Sequence, residues 1–276
     1  MGTRPGHKRL KEGEEDFPYD LQTVLGTRPH MDARRVIDRF LRYERVLQAK
    51  TTWSPVDFEG TTILEIGSGP LLGLGPVAVY LGSAEYICVE PQFKAEVLAS
   101  DTIWTRFFLP IHQQLDALFD RGIDFDEYRE RVLSAIKIET IALENRVHEG
   151  EPVDLVYSNG VLQHIGDLEL AVERIKQASG PSTRQIHVVN FTDHGSPPND
   201  PFRNIYSQDP EEYFEHDSLL NLKRPSEMIK LFSDAGIDLK MIPYISDQPV
   251  DTGCLAPYWS RFDEADLTVQ IAFLIN

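Results

Sequence analysis

Apolar positions along the chain follow two different rhythms. In residues 32–48 they recur at Val36, Phe40, Tyr43 and Leu47, with Ile37 and Leu41 beside them, while Arg34, Arg35, Arg39, Arg42 and Arg45 occupy the remaining surface. This spacing predicts an amphipathic helix ahead of the main fold. Its arginines read as a solvated face, the alternative being a grip on an anionic substrate. From Thr61 onward short apolar runs alternate with helical segments. Strands are predicted at 62–66, 86–90, 153–157, 185–191, 237–242 and 267–274, with Pro243 stopping the fifth of these. Helices are predicted at 71–81, ending at Gly82, around Leu168, Ala171, Val172 and Ile175, closed by Gly180-Pro181, and at 226–235, between Pro225 and Gly236. Strands alternating with helices imply a mostly parallel sheet covered on both faces, an α/β doubly wound fold.

Between the second strand and the one at Val153 lie about sixty residues, more than one crossover requires. Residues 111–120 read as one helix. Asp124 opens another, with Glu127 completing a capping box and Tyr128, Val132 and Ile136 on one face. The expectation is a helical insertion, at about 100–138, over the carboxyl edge of the sheet where a lid would sit. The first twenty residues mix charge with Gly2, Pro5, Gly6 and Gly13 and predict a mobile tail. The domain reading is therefore a tail and helical cap over 1–60, followed by the sheet domain over 61–276.

Charge narrows the partners. Of 276 residues, 44 are acidic and 27 basic, a formal charge of −17, which works against nucleic acid because phosphate binding rests on lysine and arginine. Two cysteines, Cys88 and Cys254, are too few for a disulfide framework or a zinc cluster. No apolar run reaches the roughly 18 residues of a membrane span, and the start of the chain has no signal-like apolar core. A reducing, cytoplasmic location is expected.

The first strand runs into Glu65-Ile-Gly-Ser-Gly-Pro70, and Glu90 ends the second strand 21 positions after Gly69. Gly67 and Gly69 let backbone approach a ligand closely, and a carboxylate at Glu90 can accept from both hydroxyls of a ribose. An adenosine-containing cofactor is indicated. A dinucleotide fingerprint would need glycine at 72, which is Leu, and no Gly-Lys-Ser/Thr phosphate loop occurs. Glu65 would be repelled by a pyrophosphate but would favour a cationic amino group. S-adenosyl-L-methionine carries that group and no phosphate.

At these residues the chain resembles the class I S-adenosylmethionine-dependent methyltransferases. Glu65-Ile-Gly-Ser-Gly69 is similar to their first motif, Glu90-Pro91 to the end of their second strand, and Asp154-Leu-Val-Tyr-Ser-Asn-Gly-Val-Leu-Gln-His-Ile165 to their fourth-strand motif. The likeness covers about 60–195 and returns at 267–274, which looks like that family's antiparallel last strand. It departs at Leu71, where many members have a third glycine. The resemblance implies a Rossmann-like, doubly wound, seven-stranded sheet, mostly parallel with an antiparallel last strand. It also implies cofactor contacts from Glu65, Gly67, Ser68, Gly69, Glu90, Pro91, Ser158 and Asn159. Asn190-Phe-Thr-Asp-His194 and the helical insertion look like methyltransferases of polysaccharide and glycoconjugate biosynthesis, although Asn190 stands where that group is usually acidic.

Methyl transfer to a hydroxyl needs in-line alignment and removal of a proton, for which histidine is suited near neutral pH. His194 after the fifth strand is the preferred base, with Asp193 either orienting it or binding the acceptor. His164 after the fourth strand is the second candidate, and His187, inside a strand, reads as structural. Asp193, His194 and Asp200 could hold a divalent metal, an option ranked below a metal-free site. Ser158-Asn-Gly-Val161 lacks the Asn/Asp-Pro-Pro-Tyr of enzymes that methylate base amino groups, which favours an oxygen nucleophile. Trp104, Phe107, Phe108, Phe202, Tyr206 and Tyr213 read as packing rather than as a platform for a sugar ring. The expected activity is O-methylation of a sugar or glycan hydroxyl. Alternatives are a natural-product methyltransferase, a non-catalytic cofactor-binding protein and a nicotinamide-dependent oxidoreductase. Partners are a small-molecule or glycan acceptor and, as an option, a second copy of the chain. Glu139 and Glu144 fall near the third-strand region, where an adenine contact would come from.

Overall fold

The apolar runs form seven strands, in the spatial order β3-β2-β1-β4-β5-β7-β6. The computed structural model describes residues 19–193, 196, 200–216, 220–246 and 255–276. In chain order the elements begin with α1 (Leu21–Gly26), α2 (Ala33–Lys50), β1 (Thr62–Ile66), α3 (Gly75–Tyr80) and β2 (Glu85–Val89). Then come α4 (Glu96–Ala99), α5 (Asp101–Ile103), a π-helical turn over Trp104–Phe108, α6 (Leu109–Phe119), α7 (Phe125–Ala135), β3 (Ile136–Glu139) and β4 (Val153–Asn159). The remainder is α8 (Leu168–Ala178), β5 (Ser179–Asn190), α9 (Arg203–Tyr206), α10 (Pro210–His216), α11 (Pro225–Asp234), β6 (Lys240–Ser246), α12 (Glu264–Thr268) and β7 (Val269–Ile275). Among the described residues two units are distinguished: 19–158 with 178–184, and 159–177 with 185–276.

In the first unit, β1 lies between two parallel neighbours. Ile66 faces Val89 of β2 and Ser158 of β4, and Val89 faces Glu139 of β3, so these strands end at one level. Parallel strands covered on both faces are buried almost throughout, as β1 and β2 are beyond their first residues. In the second unit β7 runs antiparallel to both β5 and β6. The Rossmann-like seven-stranded sheet with an antiparallel last strand is the one the resemblance implied.

Three local expectations change. The helix expected from 71 starts only at Gly75, because Leu72 and Gly73 take left-handed conformations, φ 65° and 53°, that no α-helix accommodates. The helix does end just before Gly180-Pro181, at Ala178, but that pair already lies inside β5, which begins at Ser179 rather than at 185, its Gly180 amide donating to Thr183 Oγ1 at 2.8 Å. Pro243 does not stop its strand. It sits within β6 at the sheet edge, beside a register shift, where a missing N–H leaves no ladder bond unmade.

Within the expected helical insertion, Asp124 caps α7 as its sequence predicts, Oδ1 accepting from the Glu127 amide at 2.8 Å. Tyr128 Oη donates to the Pro76 carbonyl and Tyr80 Oη to Asp116, pinning α7 and α6 on α3. Arg121, just beyond α6, reaches the Leu81 carbonyl and Glu59, which precede β2 and β1. Trp104 stacks on Phe108 with ring centroids 4.4 Å apart, and both are buried with Phe107, so these aromatics are packing. In the second unit Phe202, Tyr206 and Tyr213 are likewise buried, in a cluster with Trp259. No helix among the described residues is long and apolar enough to cross a membrane.

Candidate functional site

β1 delivers the chain into a turn that only glycine makes easily. Gly67 and Gly69 have φ of 68° and 66°, and the Gly67 amide donates to the Val89 carbonyl at 2.9 Å, continuing the ladder one step past the strand. Four of the seven residues from 67 to 73 are left-handed, counting Leu72 and Gly73. A non-glycine residue in that conformation costs about 1–2 kcal/mol, so surrounding contacts must hold the turn in place.

Glu65 supplies those contacts. Its carboxylate faces inward at 2% exposure, with Oε2 accepting from the Leu74 amide at 3.1 Å and from Tyr86 Oη at 2.6 Å. A Cβ on Gly73 would overlap both of its oxygens. Burial raises Glu65 to about 7, outweighing those two hydrogen bonds and the nearby Arg39, which favour the ionised form. Arg39 of α2 thus acts on the turn, whereas Arg34, Arg35, Arg42 and Arg45 are exposed, as a solvated face requires. Tyr86 and Gly73 were not singled out from sequence. The available signal was a glycine at 73, one position later than a dinucleotide fingerprint would place it.

Glu90 grips the other side. Its Oε2 accepts from the Gly69 amide at 2.8 Å and its Oε1 from the Gln92 amide at 3.2 Å. A carboxylate has about four acceptor positions, so lone pairs remain for hydroxyls of a ligand. Burial raises its pKa, opposed by the same two amides. Ser68 is buried, Pro91 is exposed, and Ser158 is fully buried beside Ile66 at the end of β4, with Asn159 half-buried after it. Glu139 is held by Arg146 at 2.7 and 3.2 Å, and Glu144 lies in the short turn Leu143–Asn145. Tyr19, assigned to the tail from sequence, instead brings its hydroxyl to 4.0 Å from where a Gly69 Cβ would be. Residues 1–18 of that expected tail lie outside the described residues.

The second unit carries the candidate acceptor residues. Asp193 is 5% exposed, its Oδ2 accepting from Ser196 Oγ at 2.8 Å and Asn204 Nδ2 at 2.7 Å while its amide donates to the Pro201 carbonyl. These bonds tie the segment after β5 to α9. His194 lies outside the described residues. His164 ends the 3₁₀ turn Leu162–His164 with an exposed side chain, and His187 is fully buried in β5, its Nε2 3.1 Å from Gln185 Oε1. Asn190 Oδ1 accepts from both the amide and hydroxyl of Thr192. Gln163, Asn190, Asn221 and Lys223 line a shallow pocket that opens to solvent, and Gln163 Oε1 is buried with no hydrogen-bond partner. Asp200 accepts from Arg203 Nε at 2.9 Å, and no group of three or more metal-ligating side chains is assembled among the described residues.

No family model matches this chain, and no curated protein matches it. Among solved structures it is similar to a chain in the complex of the Haloferax volcanii Trm112 methyltransferase activator with a methyltransferase, at 16% identity and TM-score 0.46, covering 89% of this chain and 94% of that one. An S-adenosylmethionine-dependent methyltransferase of Listeria monocytogenes follows at 14% identity and TM-score 0.44, covering 83% and 95%. The magnesium protoporphyrin IX methyltransferase of Synechocystis, solved with bound S-adenosylhomocysteine, is similar at 12% identity and TM-score 0.43, over 91% of this chain and 88% of that chain.

Proposed function

We propose that this chain is an S-adenosyl-L-methionine-dependent methyltransferase acting on a hydroxyl. The observation that carries the reading is the Glu90 carboxylate bonded to the Gly69 amide at 2.8 Å, at the end of β2 and beside a left-handed glycine turn. In doubly wound sheets ligands bind beyond the carboxyl ends of the strands, and a carboxylate there with spare lone pairs fits a ribose diol. The dinucleotide-binding fold runs 3-2-1-4-5-6. An additional antiparallel strand between β5 and β6 separates this sheet from it and agrees with the methyltransferase resemblance.

The cofactor supplies an electrophilic methyl on a sulfonium. Gly67 and Gly69 present backbone without side chains, and Glu90 accepts from ribose hydroxyls. Glu65 serves the ligand through the turn that it fixes. Ser68, Pro91, Ser158 and Asn159 are the further cofactor contacts proposed around it. His194 is the proposed base, holding the acceptor's proton on a ring nitrogen, with Asp193 fixing the segment that carries it and His164 the alternative base. A sugar or glycan hydroxyl is the first acceptor to test, on the likeness of Asn190-Phe-Thr-Asp-His194; a phenolic or other natural product is the second. We place the protein in the cytoplasm.

Calorimetry with S-adenosylhomocysteine and with NAD tests the reading. Micromolar binding of the first alone, weakened at least ten-fold by Glu90→Ala, is expected, and binding of NAD alone would overturn it. Turnover on panels of sugars and phenols, in wild type, His194→Ala and His164→Ala, separates the acceptor classes and the two bases.

A further inference from the structure

We infer that Tyr19 is a further ligand-contacting residue and that residues 19–31 form a strap closing the cleft over the glycine turn. This inference rests on reading that cleft as a nucleoside site. Gly69 lacks a side chain on the side where a ligand must approach, and the group found on that side is the Tyr19 hydroxyl, 4.0 Å from the Cβ position. Glu90 reaches the same residue by accepting from the Gly69 amide at 2.8 Å. A phenol and a carboxylate therefore converge on one turn from different elements. Burial and the charge of Glu90 raise Tyr19 to about 12, so its hydroxyl keeps its proton at neutral pH and can donate. A ribose hydroxyl, at once donor and acceptor, can accept from Tyr19 while donating to Glu90.

The strap is tied where it matters for the cleft. Asp20 caps α1, its Oδ1 accepting from the Thr23 amide at 2.9 Å, and the Leu21 amide donates to Glu96 Oε1 at 2.9 Å. Glu96 opens α4, six residues beyond Glu90, so the strap is anchored to the segment that leaves the second strand. Behind Tyr19, the ring of His30 meets it edge-on at 6.0 Å, with Nδ1 buried and without a hydrogen-bond partner. An unsatisfied buried nitrogen is destabilising, and Leu21–Glu96 is an exposed bond. Both make this strap easier to lift than the sheet beneath it, as a segment that admits a ligand and then covers it must be.

Two measurements on the full chain test this. Hydrogen exchange in the ligand-free protein is expected to show the 67–69 amides exchanging several-fold faster in Tyr19→Ala than in wild type; equal rates would overturn the strap. Calorimetry is expected to show S-adenosylhomocysteine binding at least ten-fold weaker in Tyr19→Ala and measurably weaker in Tyr19→Phe, which keeps the ring and loses the hydroxyl. Unchanged affinity in both variants, with wild type binding normally, would overturn the contact while leaving the methyltransferase reading intact. Absence of binding by the wild type would overturn both that reading and the ligand contact, and the exchange rates would still decide the strap.

Discussion

The carboxylate of Glu65 fills the space that a side chain at position 73 would need, so Gly73 is fixed as glycine from beneath by an acid eight residues earlier. Gly73→Ala should meet both that overlap and the cost of a left-handed alanine at φ 53°, for a loss of about 2–4 kcal/mol in stability. Combining it with Glu65→Ala should cost less than the sum of the two single changes, because the overlap is then gone. Chemical denaturation of the four proteins measures the coupling; strict additivity would mean that the two residues do not share this space.

Glu65 also sets a pH dependence. Burial raises it from 4.5 to about 7, so the folded protein binds this proton more tightly than the unfolded chain. The stability linked to that proton is complete below 4.5 and is lost as pH rises through about 7, a change of roughly 3 kcal/mol. Glu65→Gln has no proton to lose. Denaturation at a series of pH values should show the wild type falling by about this amount relative to the variant between about pH 5 and 8.

His187 acts in the opposite direction. Full burial lowers its pKa from 6.5 to about 3, so the folded ring stays neutral while the unfolded chain takes up a proton. Stability from this residue is intact above 6.5 and declines as pH falls toward 3. His187→Gln should be nearly insensitive in that window, and the wild type should lose about 2 kcal/mol relative to it between about pH 6.5 and 5. A parallel pH dependence of the two proteins would show that the ring titrates normally.

Arg224 organises the second unit from inside. It is 2% exposed, and its guanidinium donates to the carbonyls of Phe191, Asp266, Leu267 and Val269 between the rings of Phe191, Phe202 and Tyr206. A lysine cannot reproduce a planar fork with donors in several directions. Arg224→Lys and Arg224→Ala should each cost about 3–5 kcal/mol, leaving carbonyls unpaired. Thermal unfolding measures this; a lysine variant as stable as wild type would reduce the role of Arg224 to its charge.

The elements legible in the sequence were those specified by neighbours along the chain. The run 62–66 became β1 with those same bounds, the N-cap at Asp124 formed, and Glu90 arrived beside Gly69 because β1 and β2 are parallel and end together. Other expectations failed where a residue's fate depended on distant chain. Pro243 was read as a breaker because proline removes a ladder bond, and only the strand order, which puts β6 at an edge, makes that loss harmless.

By itself, then, the sequence determined the alternation of strands and helices, the glycine turn and the acid that meets it, all of which follow from period and backbone freedom within a few residues. Tertiary structure decided which way side chains face. It turned Glu65 toward Tyr86 and Leu74, laid α6 and α7 against α3, and brought Tyr19 onto Gly69 across fifty residues of chain. Such choices come from packing and desolvation between segments far apart in sequence, and no local pattern encodes them.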